Sequence, residues 1–209
     1  MTNQPVQAFY YPNIMGRSFL ASLEEILGEK GLLAVLSMAK LPHLIESRPP
    51  KDMQQQFSFD SVSRVQSALE EIYGMQCGQG LALRCGRVFF SHVLRDLGSQ
   101  VGLTEMNYRL LPMGKKITTG LDMLAGAFNR YSDQRVHFIA QSGLFWEIER
   151  CPLCWQRRVS APSCALAVGF IQEAMYWISG GRQYRVEETQ CIAAGGSACV
   201  IQIDKLPIE

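Results

Sequence analysis

Five of the seven cysteines lie in the last third of the chain, and this clustering limits what the C-terminal part can form. They are Cys151, Cys154, Cys164, Cys191 and Cys199. The odd total excludes complete internal pairing, and grouping of this kind favours a metal site over a set of disulfides. The cysteines at positions 77 and 85 lie far upstream and are predicted to be small buried residues.

The segment ETQCIAAGGSAC, from Glu188 to Cys199, predicts two strands joined by a glycine turn. Cys191 and Cys199 then lie on either side of Gly195, and directly opposed residues of an antiparallel pair have Cβ atoms about 4.5–5.5 Å apart. A tetrahedral zinc ion needs sulfurs about 2.3 Å from the metal. Such a hairpin end therefore offers two metal ligands. Cys164 opens a predicted helix, whose positive end favours a thiolate.

The residues alone leave the rest of such a site open. Glu188 offers a carboxylate oxygen, but it lies three positions before Cys191 and so faces the other side of a regular strand unless a bulge intervenes. Cys151 and Cys154 form a CxxC pair with zinc-knuckle spacing and are an alternative second half. Two opposed thiols can also simply pack together, or form a disulfide.

The order of apolar patterns predicts an α+β fold within a single domain, residues 1–209. Residues 16–131 are mainly helical by their apolar spacing. Residues 134–205 read as a hairpin, a helix and a second hairpin, which favours an antiparallel C-terminal sheet with the N-terminal helices packed on it. Hydrophobic residues make up 47% of the chain, enough for a full core.

Charge and hydropathy narrow the partners and the location. The formal net charge is +1 and no long basic run occurs, so no nucleic-acid partner is expected. No apolar stretch reaches the roughly 18 residues of a membrane span. The first 13 residues lack the layout of a signal peptide, so we expect a cytoplasmic protein.

Residues 151–203, CPLCWQRRVSAPSCALAVGFIQEAMYWISGGRQYRVEETQCIAAGGSACVIQI, resemble the 4-vinyl reductase domain family. The shared features are a cysteine near a proline, an amphipathic helix containing glycine, an acidic strand ending in cysteine, and a glycine turn followed by cysteine. The family includes a protein of bacteriochlorophyll synthesis and sensor domains of phenol- and xylene-responsive activators. Its fold is similar to that of trafficking-particle subunits. The resemblance implies a hydrocarbon-binding α+β domain that is commonly a homodimer.

The resemblance also implies a structural zinc and its ligands. Carried over position by position, the zinc ligands of the aromatic sensors fall on Cys164, Glu188, Cys191 and Cys199. On this comparison the quartet is preferred to one that uses the CxxC pair, whose role stays open.

A ligand pocket is expected beside the C-terminal sheet. The sensors use a tryptophan of the strand before the cysteine loop to touch phenol, which corresponds to Trp146. Since such pockets are mostly apolar with few polar groups, Phe128, Phe89 and His92 are predicted to complete its wall.

Three functions follow as hypotheses. The first is a domain that senses or carries an aromatic, lipid or tetrapyrrole molecule. The second is a reductase, or its accessory protein, in bacteriochlorophyll-type tetrapyrrole metabolism. The third is a scaffold or adaptor dimer without a ligand. The segment GQGLALRCG lacks the strand-turn-helix context of a dinucleotide site, so a stand-alone enzyme is not favoured.

Overall fold

Helices and strands alternate in groups through residues 7–208, the part of the chain that the computed structural model describes. Residues 1–6 and residue 209, which the sequence analysis includes in the domain, lie outside this part. The elements are β1 (Tyr10–Pro12), α1 (Asn13–Met38), α2 (Pro42–Glu46), β2 (Gln55–Ser58), α3 (Phe59–Tyr73), α4 (Met75–Val101), α5 (Met106–Arg109), α6 (Met113–Tyr131), β3 (Arg135–Ile139), β4 (Leu144–Arg150), α7 (Ala165–Ile178), β5 (Tyr184–Gln190) and β6 (Cys199–Pro207).

The four C-terminal strands form one antiparallel sheet in the order β3-β4-β6-β5. Both predicted hairpins are present: β3 pairs with β4, and β5 pairs with β6. Strand β4 joins the hairpins by pairing with β6, so that Trp146 lies opposite Ile201. Most of the helical chain precedes this sheet, and α7 connects its two halves. The predicted α+β class is confirmed.

The structure also contains a two-stranded sheet near the N-terminus, which the sequence patterns do not predict. Strand β1 pairs with β2 in antiparallel register, which places Tyr11 opposite Phe57. The sequence pattern of residues 48–56 is typical of a loop, yet β2 begins at Gln55. This small sheet brings the start of the chain against the core, where Tyr11 is buried.

Helices α4 and α7 cross in direct backbone contact at two glycines. A Cβ atom added at Gly86 would lie 2.0 Å from the carbonyl oxygen of Leu166, and one added at Gly169 would lie 2.0 Å from that of Leu83. Both distances are far inside van der Waals contact. The absence of a side chain at these positions therefore sets how closely α7 lies on α4, and with it where the start of α7 lies.

Within residues 7–208, every helix is too short or too polar to cross a bilayer.

Candidate functional site

Five cysteine sulfurs meet at one point beneath the end of the C-terminal sheet. They come from three segments: the loop after β4, the residue before α7, and the β5–β6 connection. All five side chains are buried and none forms a disulfide. Their positions are Cys151, Cys154, Cys164, Cys191 and Cys199.

The sulfur of Cys154 lies at the centre of this cysteine cluster. It is 3.2 Å from the sulfur of Cys164, 3.3 Å from that of Cys191 and 3.4 Å from that of Cys199. The outer pairs are wider, with 3.7 Å between Cys164 and Cys199 and 3.6 Å between Cys151 and Cys164. The CxxC pair therefore belongs to the same cluster as the three downstream cysteines.

Glu188 reaches the cluster because strand β5 is irregular near its end, as strand alternation requires if Glu188 and Cys191 are to meet. The register between β5 and β6 shifts between Glu188 and Gln190, so Glu188 and Cys191 are no longer confined to opposite faces. Its Oε2 accepts a hydrogen bond of 2.7 Å from the backbone N–H of Cys164. Its Oε1 is buried and has no hydrogen-bond partner among the described residues. A buried carboxylate oxygen without a partner is unfavourable unless a cation or proton satisfies it.

The donor atoms of the cluster fit one tetrahedral ion. Four sulfurs held at about 2.3 Å by a tetrahedral zinc lie about 3.8 Å from one another. The donor atoms of Cys164, Glu188, Cys191 and Cys199, the predicted quartet, all lie within 4.8 Å of each other, and so do those of Cys151, Cys154, Cys164 and Cys199. The cluster could therefore hold a metal ion through either set, and Cys164 and Cys199 belong to both.

The electrostatics of the cluster differ from those of ordinary buried thiols. Hydrogen bonds from Cys151 and the other three thiols lower the pKa of Cys154 strongly. The same shared hydrogen bonding raises the pKa of Cys164 and of Cys199. Burial raises the pKa of Glu188 to about 8, although the N–H of Cys164 opposes this. A cation bound among these donors would favour their charged forms and so oppose the raised pKa values.

Hydrogen bonds from neighbouring elements hold the CxxC loop in place. Residues Pro152–Cys154 form a single 3-10 turn, and the guanidinium of Arg157 donates to the carbonyl of Leu153 at 3.1 Å. Arg157 also forms a buried ion pair with Glu70 of α3. The N–H of Val159 donates to the carbonyl of Ala193 at 2.9 Å, which ties this loop to the β5–β6 connection. These contacts connect the CxxC loop to α3 and to the β5–β6 connection.

An apolar cavity of about 40 Å³ lies next to the cysteine cluster. Phe128 forms part of its wall, with its ring 5.5 Å from that of Phe170 and 6.1 Å from that of Trp146. Cys151 belongs both to the cavity wall and to the cluster. The wall is formed by Tyr11, Phe19, Val62, Phe89, Phe128, Gln134, Trp146, Ile148, Cys151, Pro152, Leu153, Leu166, Ala167, Phe170 and Ile171.

One polar pair interrupts this wall. The hydroxyl of Tyr11 donates to Oε1 of Gln134 at 2.5 Å, and both side chains are buried. Burial raises the pKa of Tyr11 well above its ordinary value, so the phenol stays protonated. Directed polar groups in an apolar cavity fix the orientation of whatever binds there. Neither residue is identified from the sequence, since their meeting depends on β1 and on the turn before β3.

The structure divides the predicted ligand-binding residues into two groups. Phe89, Phe128 and Trp146 line the cavity. His92 does not: its Nε2 lies 3.0 Å from a carboxylate oxygen of Glu25, and its Nδ1 lies 2.7 Å from the guanidinium of Arg95. It takes part in a polar network on the outer face of α4. Cys77, predicted to be buried, is exposed, whereas Cys85 is buried as expected.

The fold is similar to that of several domains of known structure. The chain is similar to the Fe(II) unliganded H-NOX protein from K. algicida, with a TM-score of 0.56 and 13% identity. The alignment covers 95% of this chain and 97% of that one. An H-NOX protein from S. oneidensis in the Fe(II)NO ligation state aligns over 90% of this chain and 97% of that one, with a TM-score of 0.53 and 12% identity.

A third similar structure is the phenol-responsive sensory domain of the transcription activator PoxR with phenol. The alignment covers 72% of this chain and 77% of that one, with a TM-score of 0.53 and 17% identity. No protein-family model and no curated protein matches the sequence. At these identities the similarity establishes the fold.

The assignment to the 4-vinyl reductase family is therefore wrong. The structures that align over 90–95% of this chain are H-NOX domains, and no family model supports the 4-vinyl reductase assignment. The motif behind it consists of a cysteine hairpin, a glycine turn and a nearby helix start. These features satisfy the local geometry of a thiol cluster, so chains of different families can share them. The reductase and tetrapyrrole functions and the homodimer implied by that assignment lose their support with it.

Proposed function

We propose that this domain binds a small hydrophobic or aromatic molecule in the cavity around Phe128 and acts as a sensor or carrier, with a structural zinc at the cysteine cluster. One observation carries the proposal: the aromatic cavity and the thiol cluster share a wall residue, Cys151. The similarity to a phenol-responsive sensory domain supports the ligand class. The convergence of five buried free thiols, whose donor atoms lie within reach of one ion, supports the metal.

The cavity volume limits the ligand and implies a response. About 40 Å³ is enough for a few water molecules, whereas an apolar cavity of about 150 Å³ is known to bind benzene. An aromatic guest must therefore displace side chains as it enters. Since the wall draws on β1, α1, α3, α4, α6, β4 and α7, such a displacement changes packing throughout the domain. This behaviour suits a sensor.

A cofactor large enough to surround an iron ion does not fit this cavity of about 40 Å³. Sites for such ligands have volumes of roughly 300–1,000 Å³. Moreover, within residues 7–208 the three histidines lie outside the cavity wall. The Fe(II) states of the H-NOX structures therefore do not carry over to this chain.

The Tyr11–Gln134 pair predicts discrimination between phenol and toluene. The phenolic oxygen of Tyr11 retains a lone pair that can accept a hydrogen bond from a ligand hydroxyl. A ligand at about 100 times its Kd stabilises a protein by about 2.7 kcal/mol, so we expect a shift in Tm of about 5–11 °C with phenol.

In Tyr11→Phe, phenol affinity should fall about fivefold while toluene affinity stays unchanged. Thermal shift and calorimetric titration measure both; absence of any shift with either ligand favours the scaffold hypothesis.

The zinc half of the proposal predicts a defined metal content. Protein purified without chelator should contain about one zinc per chain by elemental analysis, because one tetrahedral ion uses four of the available donors. Cys85→Ser provides the control, since Cys85 is buried but lies outside the cluster. Protein that contains no zinc, and takes up none when zinc is added, contradicts the proposal.

A further inference from the structure

The cysteine cluster contains more donors than one tetrahedral ion can use. Five sulfurs and a carboxylate converge, and the two donor sets that fit an ion share only Cys164 and Cys199. The other ligands of the ion should be the donors whose atoms lie close to both of these sulfurs and to each other. This question goes beyond the quartet predicted from the sequence, which leaves out the CxxC pair.

Cys154 is the donor that completes a tetrahedron with the other downstream cysteines. Its sulfur contacts those of Cys164, Cys191 and Cys199 at 3.2–3.4 Å. The donor atoms of those three also lie within 4.8 Å of one another. Four mutually close sulfurs need only widen to about 3.8 Å to surround a divalent ion. Cys151 is less well placed: its sulfur lies within 4.8 Å of those of Cys154, Cys164 and Cys199, but of the CxxC pair it is Cys154 whose sulfur contacts that of Cys191, at 3.3 Å.

Glu188 already has another role in the same site. Its Oε2 accepts a hydrogen bond from the backbone N–H of Cys164, the residue that precedes the first turn of α7. A carboxylate in this position holds the Cys164 backbone and so orients that sulfur. Outer groups that orient metal ligands in this way are a regular part of metal sites.

The attachment of the CxxC loop supports a ligand role for Cys154. Arg157 pairs with Glu70 and donates to the carbonyl of Leu153, and Val159 is hydrogen-bonded to Ala193 beside Cys191. These contacts hold Cys154 against the β5–β6 connection, so its binding to an ion requires little reorganisation. A thiolate is also a better ligand than a carboxylate for a soft or borderline divalent cation.

We infer that Cys154 is a metal ligand, so that the ion is held by four sulfurs, from Cys154, Cys164, Cys191 and Cys199, while Glu188 is a positioning residue outside the coordination sphere. Cys151 remains a free thiol in the cavity wall. The inference rests on the proposed function, since it concerns the same metal site. It replaces a site of three sulfurs and one oxygen by a site of four sulfurs.

Cobalt substitution tests the inference, because sulfur-to-cobalt charge-transfer absorption increases with the number of bound thiolates. Wild-type protein loaded with Co²⁺ should show a four-sulfur spectrum. Cys154→Ser should lose about one quarter of the charge-transfer intensity and bind Zn²⁺ at least about tenfold more weakly. Cys151→Ser, from the same CxxC pair, is the matched control and should keep the full spectrum. Glu188→Gln should also keep it, since an amide oxygen still accepts from the N–H of Cys164.

The outcomes separate this inference from the proposed function. Wild-type protein that binds Co²⁺ but whose spectrum changes in Glu188→Gln and not in Cys154→Ser overturns the inference alone. Wild-type protein that binds neither Co²⁺ nor Zn²⁺ overturns the inference together with the zinc proposal. Should Cys154→Ser fail to fold, zinc X-ray absorption of the wild-type protein decides: four sulfur neighbours confirm the inference, and three sulfurs with one oxygen contradict it.

Discussion

Replacing Gly86 by alanine is expected to destabilise the domain by about 3 kcal/mol or more, which corresponds to a fall in Tm of about 6–12 °C. The added Cβ would lie 2.0 Å from the carbonyl oxygen of Leu166 and 2.9 Å from the backbone nitrogen of Phe170. Both are backbone atoms of the segment that forms α7, so no side-chain rotation relieves the clash. The helices must separate, and separation opens the packing around Phe89 and Phe170, whose rings lie 5.5 Å apart.

Gly80 of the same helix provides the matched control. Nothing lies within 4 Å of the position of its Cβ, so Gly80→Ala should be neutral or stabilise the helix by up to about 1 kcal/mol. Urea denaturation of both variants measures the difference in the free energy of unfolding. Equal stability of the two variants would show that α4 and α7 do not cross in backbone contact. Gly169→Ala tests the contact from the side of α7 and should resemble Gly86→Ala.

Local sequence patterns are sufficient to predict most of the helices and both C-terminal hairpins. Apolar residues recur at helical spacing in α3 and α7, and alternation with turn residues marks the two hairpins. Helix α1 is kinked at Gly28, which adopts a φ of 73°, and the same glycine interrupts the apolar pattern in the sequence. Each of these features depends on residues close together in the chain, which is why the sequence alone reveals them.

The features that the sequence analysis misses depend on contacts between distant residues. Strand β1 spans only Tyr10–Pro12, too few residues to show alternation, and its partner β2 lies more than 40 residues away. The hydrogen bond between Tyr11 and Gln134 joins still more distant residues. No periodicity within a short window predicts such pairs.

The sequence predicts those parts of the candidate site that depend on neighbouring residues, and misses the part that depends on distant ones. Hairpin geometry places Cys191 near Cys199, and the condition that Glu188 needs a bulge follows from strand alternation alone. The place of Cys154 at the centre of the cluster rests instead on contacts with Cys164, Cys191 and Cys199, which are 10 to 45 residues away in the chain. The motif comparison is wrong where it extends a local thiol geometry to the identity of a whole family.

Cys199→Ser should abolish metal binding and destabilise the domain by about 4 kcal/mol or more, a fall in Tm of about 8–16 °C. Cys199 is fully buried and belongs to both donor sets, so its loss affects the site whichever fourth ligand the ion uses. Its sulfur also accepts a hydrogen bond of 3.3 Å from the backbone N–H of Ile192. Binding of a structural ion contributes directly to the free energy of folding.

Melting curves with and without chelator separate metal loss from simple loss of packing. Chelator should lower the Tm of the wild-type protein and of Cys85→Ser, but leave that of Cys199→Ser unchanged, because the last variant has no ion to lose. Cys85 is a suitable control because it is as deeply buried as Cys199 and lies outside the cluster. A wild-type Tm that does not respond to chelator, in protein whose zinc has been removed, would mean that the sulfurs only pack against one another. In that case the β5–β6 connection is held by its hydrogen bonds to the CxxC loop and not by an ion.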